Sequence, residues 1–131
     1  MTKAIKGGCL CKAIRYEITG ETHSTCHCHC RACRHTTGAV AVTWTTVAIE
    51  NFHITSGEPT LFASTKWGER QFCDQCGSQI TFQHADFNRY IDVTVNTLDK
   101  PDAEPPERHI WTRSHVSWMK IDEHLPKSRE D

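Results

Sequence analysis

The sequence contains no long hydrophobic run, no block of charge of one sign and few stretches with helical periodicity. No segment approaches the roughly 18 apolar residues of a membrane span, and the N-terminus lacks the apolar core of a secretory signal. We therefore expect a protein of the reducing cytoplasm, where structural disulfides are uncommon. The formal net charge of −1, with both signs interspersed, predicts neither nucleic acid nor a membrane as a partner.

The hydrophobic share of 37% in 131 residues predicts one domain, residues 1–131, with a modest core that metal crosslinks would supplement. Short alternating segments lie between turn residues, which indicates a mostly β protein. The predicted strands are 13–19, 39–47, 51–55, 60–64, 69–72, 78–83 and 90–95, with one or two late strands within 109–119. We expect a short helical turn at 29–36, stopped by Gly38, and an irregular loop at 99–108.

What the sequence does have is eight cysteines in three tight groups. They are Cys9 and Cys11; Cys26, Cys28, Cys30 and Cys33; and Cys73 and Cys76. Thiols two or three residues apart are poorly placed to link distant loops by disulfides but well placed to hold one metal ion. The grouping therefore predicts a zinc protein, with a disulfide-linked secreted protein as the weaker alternative.

The outer two groups are interpreted as one closed site. The Cys73-x-x-Cys76 spacing suits a tight turn that points both thiolates to one side, and Gly77 permits a positive φ directly after it. Cys9 and Cys11 would face the same way on a strand. Two pairs of thiolates then complete a tetrahedral Cys₄ site without a vacancy, which is typical of structural zinc. The alternative for Cys73 and Cys76 is a pair of buried free thiols.

The middle group predicts a site of another kind. A turn can bring Cys28, Cys30 and Cys33 together, whereas Cys26 and Cys30 would lie about 13 Å apart on an extended strand. Three thiolates and an open fourth position are the ligand count of catalytic zinc. The alternative is a second closed site, with Cys26, His27 or His35 as the fourth ligand; otherwise Cys26 is a spare thiol in the core.

Three motifs in order resemble the glutathione-dependent formaldehyde-activating enzymes and centromere protein V. They are GCLCKAIRY at 8–16, CHCRACRHTTG at 28–38 and FCDQCGS at 72–78, and the segments at 98–101 and 109–112 and Trp118 are also similar. The similarity runs over about residues 5–126. Cys26 is not part of the family motif.

The resemblance implies an Mss4-like fold, in which antiparallel β-sheets meet like a tent and zinc is held at cysteine turns. It implies two zinc ions per chain, one at Cys9, Cys11, Cys73 and Cys76 and a second at Cys28, Cys30 and Cys33. It further implies a carbon–sulfur lyase type of activity, in which glutathione condenses with formaldehyde to give S-hydroxymethylglutathione.

A mechanism follows as a hypothesis for the middle group. A thiol substrate would lose its proton at the zinc platform of Cys28, Cys30 and Cys33 and attack a small aldehyde. His29, Arg34 or His35 would stabilise the developing alkoxide, and Arg34 is expected first to contact anionic glutathione.

Two other functions compete with this hypothesis. One is a non-catalytic, zinc-stabilised protein-binding module with both sites structural. The other is methionine sulfoxide reduction, which the Cys9-x-Cys11 spacing disfavours. Exposed strand edges allow a homodimer.

Overall fold

The computed structural model describes residues 4–121 and 124–131 and consists mainly of short strands. The strands are β1 (Ile5–Gly8), β2 (Arg15–Ile18), β3 (His23–Cys28), β4 (Val42–Ala48), β5 (Phe52–Ser56), β6 (Thr60–Thr65), β7 (Gly68–Phe72), β8 (Gln79–His84), β9 (Tyr90–Thr94) and β10 (Arg108–Ile110). The α-helix α1 spans Arg31–Thr37. Single 3₁₀ turns occur at Ile49–Asn51, Ala85–Phe87, Val95–Thr97, Pro101–Ala103 and Thr112–Ser114.

These strands form two sheets within the described residues. The smaller has the order β1-β2-β5, and the larger has the order β10-β3-β4-β9-β8-β7-β6. Neighbouring strands pair antiparallel except β10, which lies parallel to β3. The predicted mostly β fold of antiparallel sheets is confirmed, with the single parallel pairing of β10 as the exception among the described strands. No helix in the described part of the chain is long and apolar enough to cross a bilayer.

The main core lies where the buried faces of both sheets meet. On β2, Tyr16 and Ile18 are 1% and 0% exposed, while the alternate residue Glu17 is only partly covered. Their partners in the cluster come from several strands and from both outer cysteine turns: Cys9, Ile14, Val47, Cys73, Ile80, Ile91, Val93, Val95 and Leu98. Period-2 alternation thus builds the core, as expected for strands with one solvated face.

A second, smaller cluster lies beside α1 on the larger sheet. It consists of Cys26, Cys28, Cys33, Val42 and Trp44, with Phe82 and Trp111 among the partly buried side chains against it. The middle cysteine group is therefore built into an apolar cluster of its own, separate from the main core.

The observed strands agree with the predicted ones to within a few residues at 13–19, 39–47, 51–55, 60–64, 69–72, 78–83 and 90–95. The helical turn at 29–36 corresponds to α1, and Gly38 ends it with a φ of 73°. Residues 99–108 contain one 3₁₀ turn but otherwise form an irregular loop that ends as β10 begins.

Two strands were missed, β1 and β3. Their sequences, IKGG and HSTCHC, each contain a single β-branched residue, Ile5 and Thr25, among glycines, histidines and cysteines, so the composition that marks strands is weak. In β1 a glycine is required, because a Cβ on Gly7 would lie 2.4 Å from the hydroxyl of Tyr16.

Of the one or two late strands expected within 109–119, the structure has one, and it is short. Strand β10 ends at Ile110, Trp111 adopts a positive φ of 56°, and a 3₁₀ turn follows.

The main core generates a first prediction. Replacing the fully buried Ile18 by alanine removes buried methylene groups and leaves a cavity, so we expect a loss of about 2–4 kcal/mol in the free energy of unfolding. Denaturant unfolding with zinc and reductant present measures this. Leu61→Ala, at a side chain that is 57% exposed, is the matched control and should cost less than about 0.5 kcal/mol. Equal losses in both variants would contradict the assignment of Ile18 to the core.

Candidate metal centres

The two outer cysteine pairs converge on one point. The sulfur atoms of Cys9, Cys11, Cys73 and Cys76 all lie within 4.8 Å of one another. The Sγ–Sγ distances are 3.6 Å between Cys9 and Cys11 and 3.7 Å between Cys11 and Cys73. Tetrahedral zinc with Zn–S bonds of about 2.3 Å requires sulfurs about 3.8 Å apart. Four soft thiol donors at this spacing can hold a zinc ion.

The Cys9–Cys11 pair lies in a turn and not on a strand as predicted. Strand β1 ends at Gly8, and the chain reverses through a Lys12 with a φ of 68°. The Lys12 N–H donates to the Cys9 carbonyl at 3.1 Å, and the Ile14 N–H donates to Cys9 Sγ at 3.2 Å. The two thiols do point to the same side, as predicted. The turn orients them, and not the alternation of side chains along a strand.

The Cys73–Cys76 turn has the form predicted from its spacing. The Gly77 N–H donates to the Cys73 carbonyl at 2.8 Å, and Gly77 has a φ of 79°. The turn joins β7 to β8, so the hairpin of the larger sheet presents both thiols to the turn that follows β1.

Ser78 connects these two turns and was missed by sequence reasoning. Its Oγ accepts the Leu10 N–H at 3.0 Å and lies 3.2 Å from Cys76 Sγ. Hydrogen bonds from the Ser78 side chain and from the Cys11 and Ser78 backbone lower the pKa of Cys76 to about 5. The thiolate that a metal requires is therefore favoured before a metal binds. The serine directly after Cys-x-x-Cys-Gly was the feature of the sequence that could have indicated this role.

The middle group forms the second cluster. Cys28, Cys30 and Cys33 have sulfur atoms that all lie within 4.8 Å of one another. Cys28 ends β3, Cys30 is the N-cap of α1 and Cys33 is its buried residue. Cys33 Sγ lies 3.5 Å from Cys28 Sγ, and the Cys33 N–H donates to Cys30 Sγ at 3.3 Å. The three donors match a three-thiolate site, so this group can also hold a metal ion.

Hydrogen bonds among these thiols divide their charge unequally. Thiol hydrogen bonds from Cys28 and Cys33 lower the pKa of Cys30, and the same contacts raise the pKa of Cys28. Cys30 is therefore the thiol of the three that ionises most easily.

Cys26, His27 and His35 do not join this group. Among the described residues, no fourth Cys, His, Asp or Glu donor meets the same distance limit. Cys26 is 5% exposed in the apolar cluster, and burial raises the pKa of its thiol to about 12. His27 Nδ1 lies 2.8 Å from Thr43 Oγ1, and His35 is exposed. This arrangement supports the interpretation of Cys26 as a core side chain.

His29 and Arg34 lie beside the cluster in different surroundings. His29 is fully buried, and its Nε2 lies 2.9 Å from His109 Nδ1. Burial and then the charges of His109 and His27 lower the pKa of His29 to about 4, so its imidazole is neutral at pH 7. Arg34 is half-buried on α1, and its Nε donates to the His29 carbonyl at 3.3 Å.

Comparison with known proteins decides the family. The sequence model of the glutathione-dependent formaldehyde-activating enzymes matches residues 4–114. This chain belongs to that family.

Similarity to other proteins covers most of the chain of this family member. A protein of Halomonas elongata, provisionally named a glutathione-dependent formaldehyde-activating enzyme, is 24% identical over 90% of this chain and 81% of its own length. An uncharacterized lyase of Schizosaccharomyces pombe is 31% identical over 75% of this chain and 82% of its own length. A crystal structure of a Rhodobacter sphaeroides protein has the same fold, with a TM-score of 0.61 and 23% identity; it covers 77% of this chain and 96% of its own.

The two clusters predict a metal count for this family member. We expect native mass spectrometry to find two zinc ions per chain in the unaltered protein and one in Cys28→Ala, which lacks one ligand of the three-thiol cluster. Cys26→Ala is the matched control and should keep two, because its sulfur does not share the cluster. Loss of an ion in Cys26→Ala would show that Cys26 is a ligand.

The clusters should also differ in their effect on stability. Cys73→Ser removes a ligand from the centre that joins β1 to the β7–β8 hairpin, so the melting temperature should fall by well over 10 °C. Cys30→Ser, at the second centre, should lower it much less because the main core is untouched. Thermal unfolding followed by circular dichroism compares them. A larger fall in Cys30→Ser would mean that the second centre is the principal structural one.

Proposed function

We propose that this protein is a zinc-dependent carbon–sulfur lyase of the S-hydroxymethylglutathione synthase type, acting as one domain. Glutathione or a similar small thiol would be joined to formaldehyde or another small aldehyde. The observation that carries the proposal is the cluster of Cys28, Cys30 and Cys33, in which three donors converge while the described residues supply no fourth. Membership of the formaldehyde-activating family supports the choice of thiol and aldehyde.

The chemistry follows from the donor set. Zinc bound by three thiolates would keep a fourth position for an external ligand and would favour the ionised form of a thiol placed there. Three thiolates carry three negative charges, so such a centre polarises water weakly and suits a sulfur nucleophile better than hydrolysis. In the overall reaction a bond forms between the substrate sulfur and the aldehyde carbon, and the thiol proton ends on the former carbonyl oxygen.

The residues around the cluster would divide the remaining work. Arg34 is half-buried at the rim and is proposed to contact a carboxylate of glutathione. The buried ring of His29 lies against His109, which favours a role in holding the Cys28–Cys30 turn over direct proton donation to the alkoxide.

The reaction itself provides the main test. Exchange of formaldehyde with glutathione, followed by NMR, should be faster with the zinc-loaded protein than without it, and Cys33→Ser should return it to the uncatalysed rate. Arg34→Ala should raise KM about tenfold with a smaller change in kcat, since a charged hydrogen bond to substrate is lost. Arg113→Ala, at an exposed arginine paired with Glu130, is the matched control. No acceleration by the loaded protein would overturn the proposal.

Spectroscopy of the cobalt-substituted protein separates enzyme from binding module. A thiol that enters the second centre should change its sulfur-to-cobalt charge-transfer bands. An unchanged spectrum would favour two closed structural centres and a protein-binding role.

A further inference from the structure

Arg70, on β7, carries a buried charge beside the second centre. It is 3% exposed, and no described carboxylate lies within ion-pair distance of it. Burying a guanidinium without an anionic partner is strongly unfavourable. A group that could balance this charge must therefore lie among the side chains in contact with the Arg70 nitrogens.

Each guanidinium nitrogen has a defined contact. Nε donates to Ser64 Oγ at 3.1 Å, and Nη1 donates to Gln79 Oε1 at 3.0 Å. Nη2 points to Cys33 Sγ at 3.7 Å. Two contacts are thus neutral and hold the group in place. The third reaches the sulfur cluster, whose atoms become negatively charged when they bind a metal.

Aromatic side chains fix the plane of the same group. Arg70 Cζ lies 4.8 Å from the ring centroid of Phe82 and 5.9 Å from that of Trp44. Trp44 belongs to the apolar cluster that also contains Cys28 and Cys33, and Phe82 packs against that cluster. Water is therefore excluded from one side of the charge, which strengthens its interaction with the sulfurs.

Charge balance indicates what this arrangement does. Three thiolates and Zn²⁺ sum to −1, and a fourth thiolate from a substrate makes −2. A dianion in an apolar cluster is unfavourable without a nearby cation. The Arg70 guanidinium returns the sum to −1 when a thiolate enters. A neutral ligand adds no charge, so the Arg70 guanidinium stabilises its binding far less.

We propose that Arg70 is a positioning residue that makes the Cys28/Cys30/Cys33 centre selective for anionic sulfur ligands over neutral ones. The inference deepens the proposed function, since it rests on entry of a thiol at that centre. Arg70 acts through the cluster, and Arg34 at the rim remains the proposed contact for the substrate carboxylate.

The test compares an anionic and a neutral probe on the cobalt-substituted protein. 2-Mercaptoethanol, which binds as a thiolate, and imidazole are titrated separately and followed by the cobalt bands. In Arg70→Gln and Arg70→Met we expect affinity for the thiol to fall about 10- to 100-fold, the equivalent of one charged hydrogen bond. Imidazole affinity should change less than about threefold. Arg70→Lys keeps the charge and should restore most of the preference.

Matched controls exclude a general loss of structure. Arg113→Met removes an exposed arginine and should leave both affinities unchanged. Native mass spectrometry should find two metal ions in every variant compared. If both neutral variants fail to fold, Arg70→Lys decides, because loss of the sulfur preference with the charge retained contradicts the proposal.

The outcomes separate the two proposals. Equal falls in thiol and imidazole affinity, or no fall in either, would overturn the role of Arg70 alone. A protein that binds thiol with Arg70-dependent preference but does not accelerate glutathione–formaldehyde exchange would overturn the proposed function alone. An unaltered protein that ignores the thiol would overturn both.

Discussion

Four thiols from two turns that are distant in sequence meet at one point, and the architecture depends on that meeting. Cys11 and Cys73 are separated by 62 positions, yet their sulfurs lie 3.7 Å apart. The first turn follows β1 of the smaller sheet, and the second closes the β7–β8 hairpin of the larger one. A metal ion at this point would tie together the sheets whose buried faces form the main core. For a chain with 37% hydrophobic residues, such a tie is a substantial addition to the core.

The two cysteine clusters have the same donor chemistry but different surroundings. The four-thiol cluster contains all four donors of a tetrahedral site, and Ser78 links its two turns through contacts with Leu10 and Cys76. The three-thiol cluster lies at the N-terminus of α1, bordered by the apolar cluster on one side and by the Arg70 guanidinium on another. In the proposed function, ligand number separates a structural from a reactive centre, and the neighbouring charge would select which external ligand is favoured.

Much of the fold was predictable because its signals are local. Alternation of buried and exposed side chains located β2 and β9, and Gly38 marked the end of α1. The failures were also local in origin: β1 and β3 carry glycines, histidines and cysteines required for close approach and for the clusters, so they lack the usual strand composition. The family motifs were likewise readable, and the comparisons confirm the membership they implied.

The sequence by itself determined the cysteine spacings, the turn-forming glycines and the family, because each depends on residues that are neighbours along the chain. Only the tertiary structure decided that Cys26 remains outside the three-thiol cluster and that Arg70 reaches it. It also placed His29 against His109, since the parallel pairing of β10 with β3 puts His109 beside His27. Contacts of this kind depend on strand order and register across the sheet, which spacing along one segment does not encode.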